Sequence, residues 1–318
     1  MTKTYYSHGK LLLSGEYLVL MGARAFAIPL KLGQTLTVKT TPADRTLVSW
    51  KAFDEKNQNW LTVGYTGQKL LFDGPCTDKL ILQLRRILME AKRLDPDFLS
   101  QKMKFEVETH LDFNLNWGMG SSSTLVANIA EWAGVNPYQL AANSFGGSGY
   151  DIACAIHHSA IFFQLTNEVA APSITPANFN PSFHDKLFFV YTGKKKNSRE
   201  SIAAFKEKDN ILPADIYHLS KLSDEIASAE NIEDFTSAVQ EHESFLAKKL
   251  GLPTAKDALF STLQGNAKWL GAWGGDFVLY LSQLPEHETK TLLLNEGFET
   301  FFRYKDVALD QKFSVKQE

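Results

Sequence analysis

The sequence has few of the features that mark secreted or membrane-spanning proteins. Only two of its 318 residues are cysteine. Cys76 and Cys154 are far apart and lack metal-ligand spacing, so we expect reduced, structural cysteines, as in a cytoplasmic protein. No apolar run approaches the roughly 20 residues that a transmembrane helix needs. The first residues, MTKTYYSHGKLLLSGEY, lack the apolar core and cleavage site of a signal peptide. We therefore expect a cytoplasmic protein with no membrane partner.

An excess of charge of one sign is also absent. The chain has 33 Lys and Arg against 36 Asp and Glu, a net charge of −3. No domain-wide basic face is visible, so we expect no nucleic-acid partner. The apolar fraction of 44% and the charged fraction of 22% are typical of a globular protein with a substantial core. The length allows one large domain or two ordinary ones.

The order of predicted elements indicates a mixed α+β chain. Residues 5–40 predict strand, turn, strand, and DKLILQLRRILMEAKRL from Asp78 predicts an amphipathic helix that Asp95-Pro96 ends. KMKFEVETHLDFN alternates as a strand does. In the last third, TAKDALFSTLQGN predicts a helix, DFVLYLS a strand, EHETKTLLLNEG a helix and FETFFRYKDVAL a strand. This alternation suggests a separate α+β unit.

The segment NWGMGSSSTLVANIAEWAG is the strongest single signal for a binding site. Gly118 and Gly120 lead into three serines and Thr124, and apolar residues then follow at helical spacing. Glycines let backbone N–H groups point into a concavity, and a helix N-terminus adds partial positive charge. This combination predicts an anion site, usually for phosphate. The alternative is a glycine turn before a redundantly capped helix.

Two charged residues stand beside apolar runs. Lys10 in HGKLLLSGEY enters a predicted buried strand, which is costly unless its charge has a partner, and Glu16 is a candidate partner. Alternatively, Lys10 ends a strand and reaches solvent. Asp151 in GGSGYDIACA is either an acid in the first turn of a helix or a catalytic carboxylate.

Two further segments have alternative interpretations. GNAKWLGAWGGDFVLYL contains a second glycine cluster, which predicts either a tight turn or a backbone that closely approaches a ligand or another loop. YTGKKKNSRES carries Lys195 and Arg199 after a predicted buried strand. Such a basic loop is either solvated surface or a site for an anionic substrate.

Three of these segments, in this order, resemble the motifs of the GHMP kinases. GKLLLSGEYLVLMGARAFAIPL is similar to the first motif, GMGSSST to the phosphate loop, and KWLGAWGGDF to the third motif. Within the superfamily the sequence is most similar to phosphomevalonate kinases, with mevalonate kinases second. It departs from the pattern at Asn114, where the family has proline, and at Trp273, where it has glycine. Leu140 occupies the position of a magnesium-binding glutamate in mevalonate kinases.

The resemblance implies a two-domain α+β fold. An N-terminal domain of residues 1–180 would contain a left-handed βαβ crossover, and residues 181–318 would form a ferredoxin-like domain. ATP would bind at their junction. The chain would be a monomer or a homodimer.

The resemblance also implies a reaction, the transfer of the γ-phosphoryl of Mg-ATP to a small anionic acceptor such as phosphomevalonate or mevalonate. Lys10 and Asp151 would be catalytic, with Asp151 either accepting the acceptor's proton or holding Lys10. The triphosphate would be bound by the loop residues Gly118, Met119, Gly120, Ser121, Ser122 and Ser123, with Ser122 also on Mg²⁺. The predicted substrate-binding residues are Glu16, Tyr17, Ser148, Lys195, Ser198, Arg199, Gly274 and Asp276. The alternatives are a kinase for another small alcohol, the related ATP-dependent decarboxylase, and a nucleotide-binding protein without catalysis.

Overall fold

The structure is a computed structural model that describes residues 1–72, 74–196, 198–206 and 211–309. Within these residues the strands form two sheets. The first sheet contains β1 (Thr2–Ser14), β2 (Ala25–Pro42), β3 (Leu47–Phe53), β4 (Asn59–Thr66), β5 (Met103–Leu111), β6 (Ile161–Gln164) and β7 (Ser173–Pro176). The second contains β8 (Leu187–Tyr191), β9 (Asn266–Leu270), β10 (Phe277–Leu281) and β11 (Phe301–Arg303).

The helices of the described residues fall between these strands. The first group is α1 (Lys79–Leu94), α2 (Ser121–Ala133), α3 (Pro137–Ser144) and α4 (Tyr150–Ile156). The second group is α5 (Ser198–Lys206), α6 (Pro213–Ser228), α7 (Ile232–Leu250), α8 (Ala255–Leu259), α9 (Glu286–Asn295) and α10 (Tyr304–Val307). No helix in the described ranges combines the length and the apolar character that crossing a membrane requires.

The first sheet has the order β4-β3-β5-β2-β6-β7, and β1 pairs with β2 outside this path. Its pairs are antiparallel except for β3 and β5, which run parallel. A parallel pair needs a crossover connection, and here the chain passes through β4 and α1 between the two strands. The left-handedness of this crossover stays a prediction.

One face of this sheet is covered by α1, α2 and α3. Alternate residues of β3, Val48 and Trp50, face this helical layer and are almost fully buried. The predicted amphipathic helix is confirmed as α1, whose buried residues recur at helical spacing as Leu84, Ile87, Leu88 and Ala91. The Asp78 carboxylate caps α1 by accepting the N–H groups of its first turn.

The second sheet has the order β11-β8-β10-β9, and all its pairs are antiparallel. Numbered within this half, the strands stand in the order 4-1-3-2 of a βαββαβ unit, so the predicted ferredoxin-like arrangement is confirmed. One hydrophobic cluster includes Phe26 and Phe113 from the first half and Phe189 and Phe277 from the second. The two sheets therefore share a core, and the domain boundary at residue 180 stays a prediction.

Two predicted elements in the last third need correction, and one strand was not predicted. The strand predicted over FETFFRYKDVAL is only β11, because buried Tyr304 begins the short helix α10. The helix predicted over TAKDALFSTLQGN is only α8. Strand β9 was not predicted, because its sequence NAKWL places the charged Lys268 at a fully buried position.

A buried polar network attaches α2 to β1 and β2. Asn128 donates through Nδ2 to the carbonyl of Gln34 at 2.8 Å and accepts the Ser7 hydroxyl at 2.8 Å. The Thr124 hydroxyl donates to Oε1 of Gln34, also at 2.8 Å. All four residues are buried. The network fixes the height of α2 against the sheet, and hence the position of the loop that precedes α2.

Replacing Asn128 with alanine tests this attachment. Asn128→Ala leaves the Ser7 hydroxyl and the Gln34 carbonyl buried without their partner, so we expect a loss of about 3 kcal/mol in unfolding free energy. Chemical denaturation measures it. Asn295→Ala, at an exposed position, is the control and is expected to change the free energy by less than about 0.5 kcal/mol. Equal stabilities of the two variants would contradict the structural role of the network.

Candidate functional site

The glycine loop between β5 and α2 opens the N-terminus of α2. Gly118 and Gly120 adopt left-handed conformations, with φ of +64° and +100°. Gly120 is the N-cap residue, and no side chain in the described part of the molecule caps the helix. The N–H groups of the first turn therefore remain available to an anion, and the helix dipole favours negative charge there.

The four hydroxyls of this segment divide into two pairs. The Ser123 hydroxyl donates to the Gly120 carbonyl at 2.8 Å, and the Thr124 hydroxyl, which donates to Gln34, lies 3.1 Å from the same carbonyl. Both residues are buried. The hydroxyls of Ser121 and Ser122 have no partner among the described residues, and Ser122 is exposed. The hydroxyls of Ser121 and Ser122 can therefore bind a ligand, whereas the Ser123 hydroxyl shapes the loop. The predicted contact between the triphosphate and the backbone N–H of Ser123 stays a prediction.

Lys10 lies against this loop. Its backbone N–H donates to the carbonyl of Met119 at 2.9 Å, while the Met119 side chain is fully buried. A Cβ on Gly120 would lie 3.3 Å from Cγ of Lys10, so the lysine side chain runs directly beside this glycine. β1 thus places an ammonium group at the N-terminus of α2.

Helix α4 brings Asp151 to the same place. Gly149, with φ of +91°, precedes Tyr150 and Asp151 in the first turn. The Lys10 Nζ atom lies 5.5 Å from the centroid of the Tyr150 ring. No pattern in the sequence pointed to Tyr150, although this residue adjoins the predicted Asp151. Ser148, at the turn before α4, is partly buried.

The three side chains are coupled electrostatically. Burial disfavours the charged form of Lys10, but interactions with Tyr150 and Asp151 outweigh it and raise the pKa of Lys10. Burial raises the pKa of Asp151, and attraction by Lys10 opposes part of that rise. Burial also raises the pKa of Tyr150, which therefore stays protonated near neutrality. The sequence left open whether Lys10 reaches solvent, and in the structure Lys10 is partly exposed, with Tyr150 and Asp151 nearby.

The third motif, KWLGAWGGDF at residues 268–277, is called the third glycine segment below. It contacts the phosphate loop through Asp276. A Cβ on Gly118 would lie 2.3 Å from Oδ2 of Asp276, so only glycine allows this approach. Asp276 itself has φ of +51°. Burial raises the pKa of its carboxyl, against the opposing effects of the Lys196 N–H and of Lys10. The backbone at Gly274 has open space around it.

Asp276 also holds the basic segment after β8. Its N–H donates to the Lys194 carbonyl at 2.7 Å, and its Oδ1 accepts the Lys196 N–H at 3.1 Å. The Lys195 ammonium donates to the carbonyl of Leu115 at 2.9 Å, just before the phosphate loop. The side chains of Ser198 and Arg199, both predicted to bind substrate, lie outside the described residues.

Glu16 and Tyr17 both contact other parts of the protein, which corrects the predictions for Glu16, while the substrate contact of Tyr17 stays a prediction. Glu16 is 1% exposed and pairs with Lys268, so it is neither the partner of Lys10 nor placed to contact a substrate. The Tyr17 hydroxyl accepts the Trp273 N–H at 2.9 Å, and its ring stacks on Phe205. No pattern in the sequence pointed to Lys268 as the partner of Glu16.

Trp273, which replaces a glycine of the family motif, has a structural role. Its side chain is 3% exposed, and its indole N–H donates to the Pro253 carbonyl at 2.9 Å. The ring therefore points away from the phosphate loop into the core around β9 and β10. Trp273 therefore does not prevent Asp276 of the same segment from contacting the phosphate loop at Gly118.

The residues present fit a magnesium-bound triphosphate. The loop supplies free N–H groups and the unpartnered Ser122 hydroxyl, and Lys10 adds a positive charge. Asp151 and Asp276 supply carboxylate oxygens, which Mg²⁺ prefers as ligands. Among the described residues no group of three or more His, Cys, Asp and Glu side chains could hold a metal. An ion carried largely by phosphate oxygens does not require such a group.

Comparison with known proteins identifies the fold. No protein-family model matches the chain, and no curated protein is similar to it in sequence. Among solved structures it resembles Methanococcus jannaschii mevalonate kinase, with 18% identity, 98% of this chain and 99% of that chain covered, and a TM-score of 0.68. It also resembles Streptococcus pneumoniae phosphomevalonate kinase in complex with phosphomevalonate and AMPPNP, with 17% identity. That match covers 95% of this chain and 99% of that chain, with a TM-score of 0.68. Lactococcus lactis galactokinase, complexed with galactose, is 14% identical. The match covers 97% of this chain and 93% of that chain, with a TM-score of 0.67. The chain therefore has the fold of the GHMP kinases, as the sequence resemblance predicted.

The close approach of Asp276 to Gly118 can be tested with a pair of alanine substitutions. Gly118→Ala and Gly134→Ala impose similar strain, because φ is +64° and +67°, but only the first adds a Cβ that collides with Asp276. We expect similar losses of thermal stability, together with an ATP affinity at least about tenfold weaker for Gly118→Ala alone. Calorimetric titration measures the affinity. Equal ATP affinities of the two variants would show that the Gly118–Asp276 contact does not shape the site.

Proposed function

We propose that the chain is a kinase that transfers the γ-phosphoryl group of ATP to a small anionic acceptor, with phosphomevalonate or mevalonate as the leading candidates. One observation carries the proposal. Lys10 and Asp151, from separate elements, interact electrostatically, and Gly120 lets Lys10 run beside the uncapped N-terminus of α2. The kinase fold of the chain supports the same conclusion.

Phosphoryl transfer depends mainly on positioning and on stabilising the charge of the transferred group. The N–H groups at the start of α2 would bind the phosphate oxygens, and the helix dipole would favour their charge. Lys10 stays protonated, because its pKa is raised, so it would neutralise charge on the phosphoryl group during transfer. Mg²⁺, held by Ser122 and carboxylate oxygens, would supply further charge neutralisation when bound.

Asp151 is suited to act on the acceptor's hydroxyl. Burial raises the pKa of this carboxyl, which makes it a better proton acceptor than an exposed aspartate. Attraction by Lys10 lowers that pKa in part, so the proposal also gives Asp151 the role of orienting the lysine. The two roles left open by the sequence are compatible in this geometry.

The basic segment supports an anionic acceptor. Lys194, Lys195 and Lys196 are exposed, and the bond from Lys195 to Leu115 keeps this charge beside the phosphate loop. The Streptococcus pneumoniae phosphomevalonate kinase has the same fold in complex with phosphomevalonate, whose charges would suit such a segment. With reduced Cys76 and Cys154, the proposal assigns the reaction to the cytoplasm.

A kinase for an uncharged alcohol is the second candidate. The galactokinase, complexed with galactose, matches the chain with nearly the same TM-score as the phosphomevalonate kinase. The acceptor therefore has to be identified by assay. Catalysis is favoured over binding alone, because Trp273 is accommodated in the core and leaves the phosphate loop open.

The decisive assay measures ADP release from Mg-ATP with mevalonate, phosphomevalonate and a set of sugars. Turnover on one mevalonate-type acid is expected, with kcat lower by about 10³-fold or more in Asp151→Asn and Lys10→Met. Asp44→Asn, at an exposed turn, is the control and should retain wild-type kcat. Turnover on sugars alone would favour the second candidate, and release of carbon dioxide would indicate the decarboxylase reaction.

The pH dependence tests the proton-accepting role of Asp151. Its raised pKa means that the carboxylate is lost at a higher pH than for an ordinary aspartate, so kcat should fall as pH decreases through that value. Lys10, with a raised pKa, should add no fall near neutrality. Rate measurements from about pH 4 to 8 check this, with Asp151→Asn expected to lose the acidic limb. An acidic limb that persists in Asp151→Asn would assign it to another group.

A further inference from the structure

A cluster of ionisable residues lies outside the site described above. This buried charge cluster consists of Glu16, His242, Glu243 and Lys268, and none of the four is more than 2% exposed. The residues come from the turn after β1, from α7 and from β9. Buried charges are costly unless they are paired and hydrogen-bonded, so a cluster of this kind needs an explanation.

Lys268 is the centre of the cluster. Its ammonium group donates to Oε1 of Glu16 and to the carbonyl of Trp269, the latter at 2.7 Å. Glu243 accepts the N–H groups of Trp269 at 3.3 Å and of Ala255 at 2.8 Å. The cluster therefore joins the first turn of the chain to β9 and to the helices that precede it.

His242 fixes the same turn from the other side. Its Nε2 atom accepts the Gly15 N–H at 3.3 Å and lies 3.3 Å from Oε2 of Glu16. Burial, together with Lys268, lowers the pKa of His242 well below its ordinary value, so the ring is neutral. A Cβ on Gly15 would lie 2.6 Å from Cβ of Ala25, which leaves the turn little room to shift.

The turn is connected to the phosphate loop. Tyr17 follows Glu16 directly and accepts the Trp273 N–H through its hydroxyl. Trp273 opens the short segment that ends at Asp276, whose carboxylate lies against Gly118. The chain of contacts thus runs from Lys268 through Glu16 and Tyr17 to the residues that shape the loop.

We propose that the buried Lys268–Glu16 ion pair is a positioning device for the candidate kinase site, setting the turn at Gly15–Tyr17 and thereby the placement of Asp276 on the phosphate loop. The inference rests on the proposed function. An ion pair suits this task better than an apolar contact, because its geometry is directional. A buried pair often adds little net stability, since desolvation offsets the attraction.

The test separates positioning from stability by removing one charge and then both. Lys268→Met leaves the Glu16 carboxylate buried and unpaired, so a marked loss of thermal stability is expected. Glu16→Gln combined with Lys268→Met removes both charges, so much of that stability should return. If the pair positions the site, kcat in the double variant stays about tenfold below wild type despite the recovered stability.

Hydrogen exchange supplies a readout that does not depend on activity. The N–H groups of Gly15 and Trp273 depend directly on this arrangement, and we expect them to exchange about tenfold faster in the double variant. Tyr17→Phe, which removes only the acceptor of the Trp273 N–H, should accelerate exchange at Trp273 and lower kcat, with Lys268 intact. Lys249→Met breaks a partly buried ion pair between α7 and α6 and is the matched control.

The outcomes distinguish the two proposals. Wild-type protein that binds ATP but turns over no acceptor would contradict the proposed function, and exchange at Gly15 and Trp273 would then decide the positioning role alone. Recovery of both stability and kcat in the double variant, with unchanged exchange, would show that the pair only stabilises the fold. Equal exchange changes in Lys249→Met would likewise overturn the proposal.

Discussion

The site depends on one steric constraint, the absence of side chains at Gly118 and Gly120. Gly118 allows the Asp276 carboxylate to reach the phosphate loop, and Gly120 allows Lys10 to run beside it. Both glycines also adopt left-handed conformations that leave the N-terminus of α2 uncapped. A methyl group at either position would separate parts of the chain that lie more than a hundred residues apart. The anion site, the lysine and the third glycine segment are therefore consequences of the same constraint.

Two sets of buried contacts hold the phosphate loop and the residues beside it in position. Behind the loop, the network of Asn128 and Gln34 fixes α2 to the first sheet. On the other side, the Lys268–Glu16 pair and the Tyr17–Trp273 bond connect the first turn to the second sheet. The polar groups in both connections are buried, so each connection is satisfied in only one geometry. The two halves also share a hydrophobic core. This core brings residues from both halves to the N-terminus of α2.

The sequence predicted the fold where local signals were strong. The start of α1 near Asp78 and its helical spacing were confirmed, and the ordered motifs led to the correct kinase fold. The sequence failed where distant contacts override local pattern. Lys268 is fully buried within β9 because Glu16, 252 residues away, neutralises its charge. Glu16 was assigned to substrate for the same reason, since no local feature shows that it pairs with Lys268. The convergence of Lys10, Tyr150 and Asp151 likewise comes from packing, although the motifs indicated two of the three.

The most direct measurement of the central claim is a crystal structure with magnesium and a non-hydrolysable ATP analogue. The account predicts a triphosphate bound by the N–H groups at the start of α2, with Lys10 and Asp151 on the side of the terminal phosphate. Ser122 is expected on the metal ion, and Asp276 should remain against Gly118. A nucleotide bound elsewhere, or a triphosphate that leaves the first turn of α2 without a ligand, would contradict the proposed triphosphate site at the start of α2.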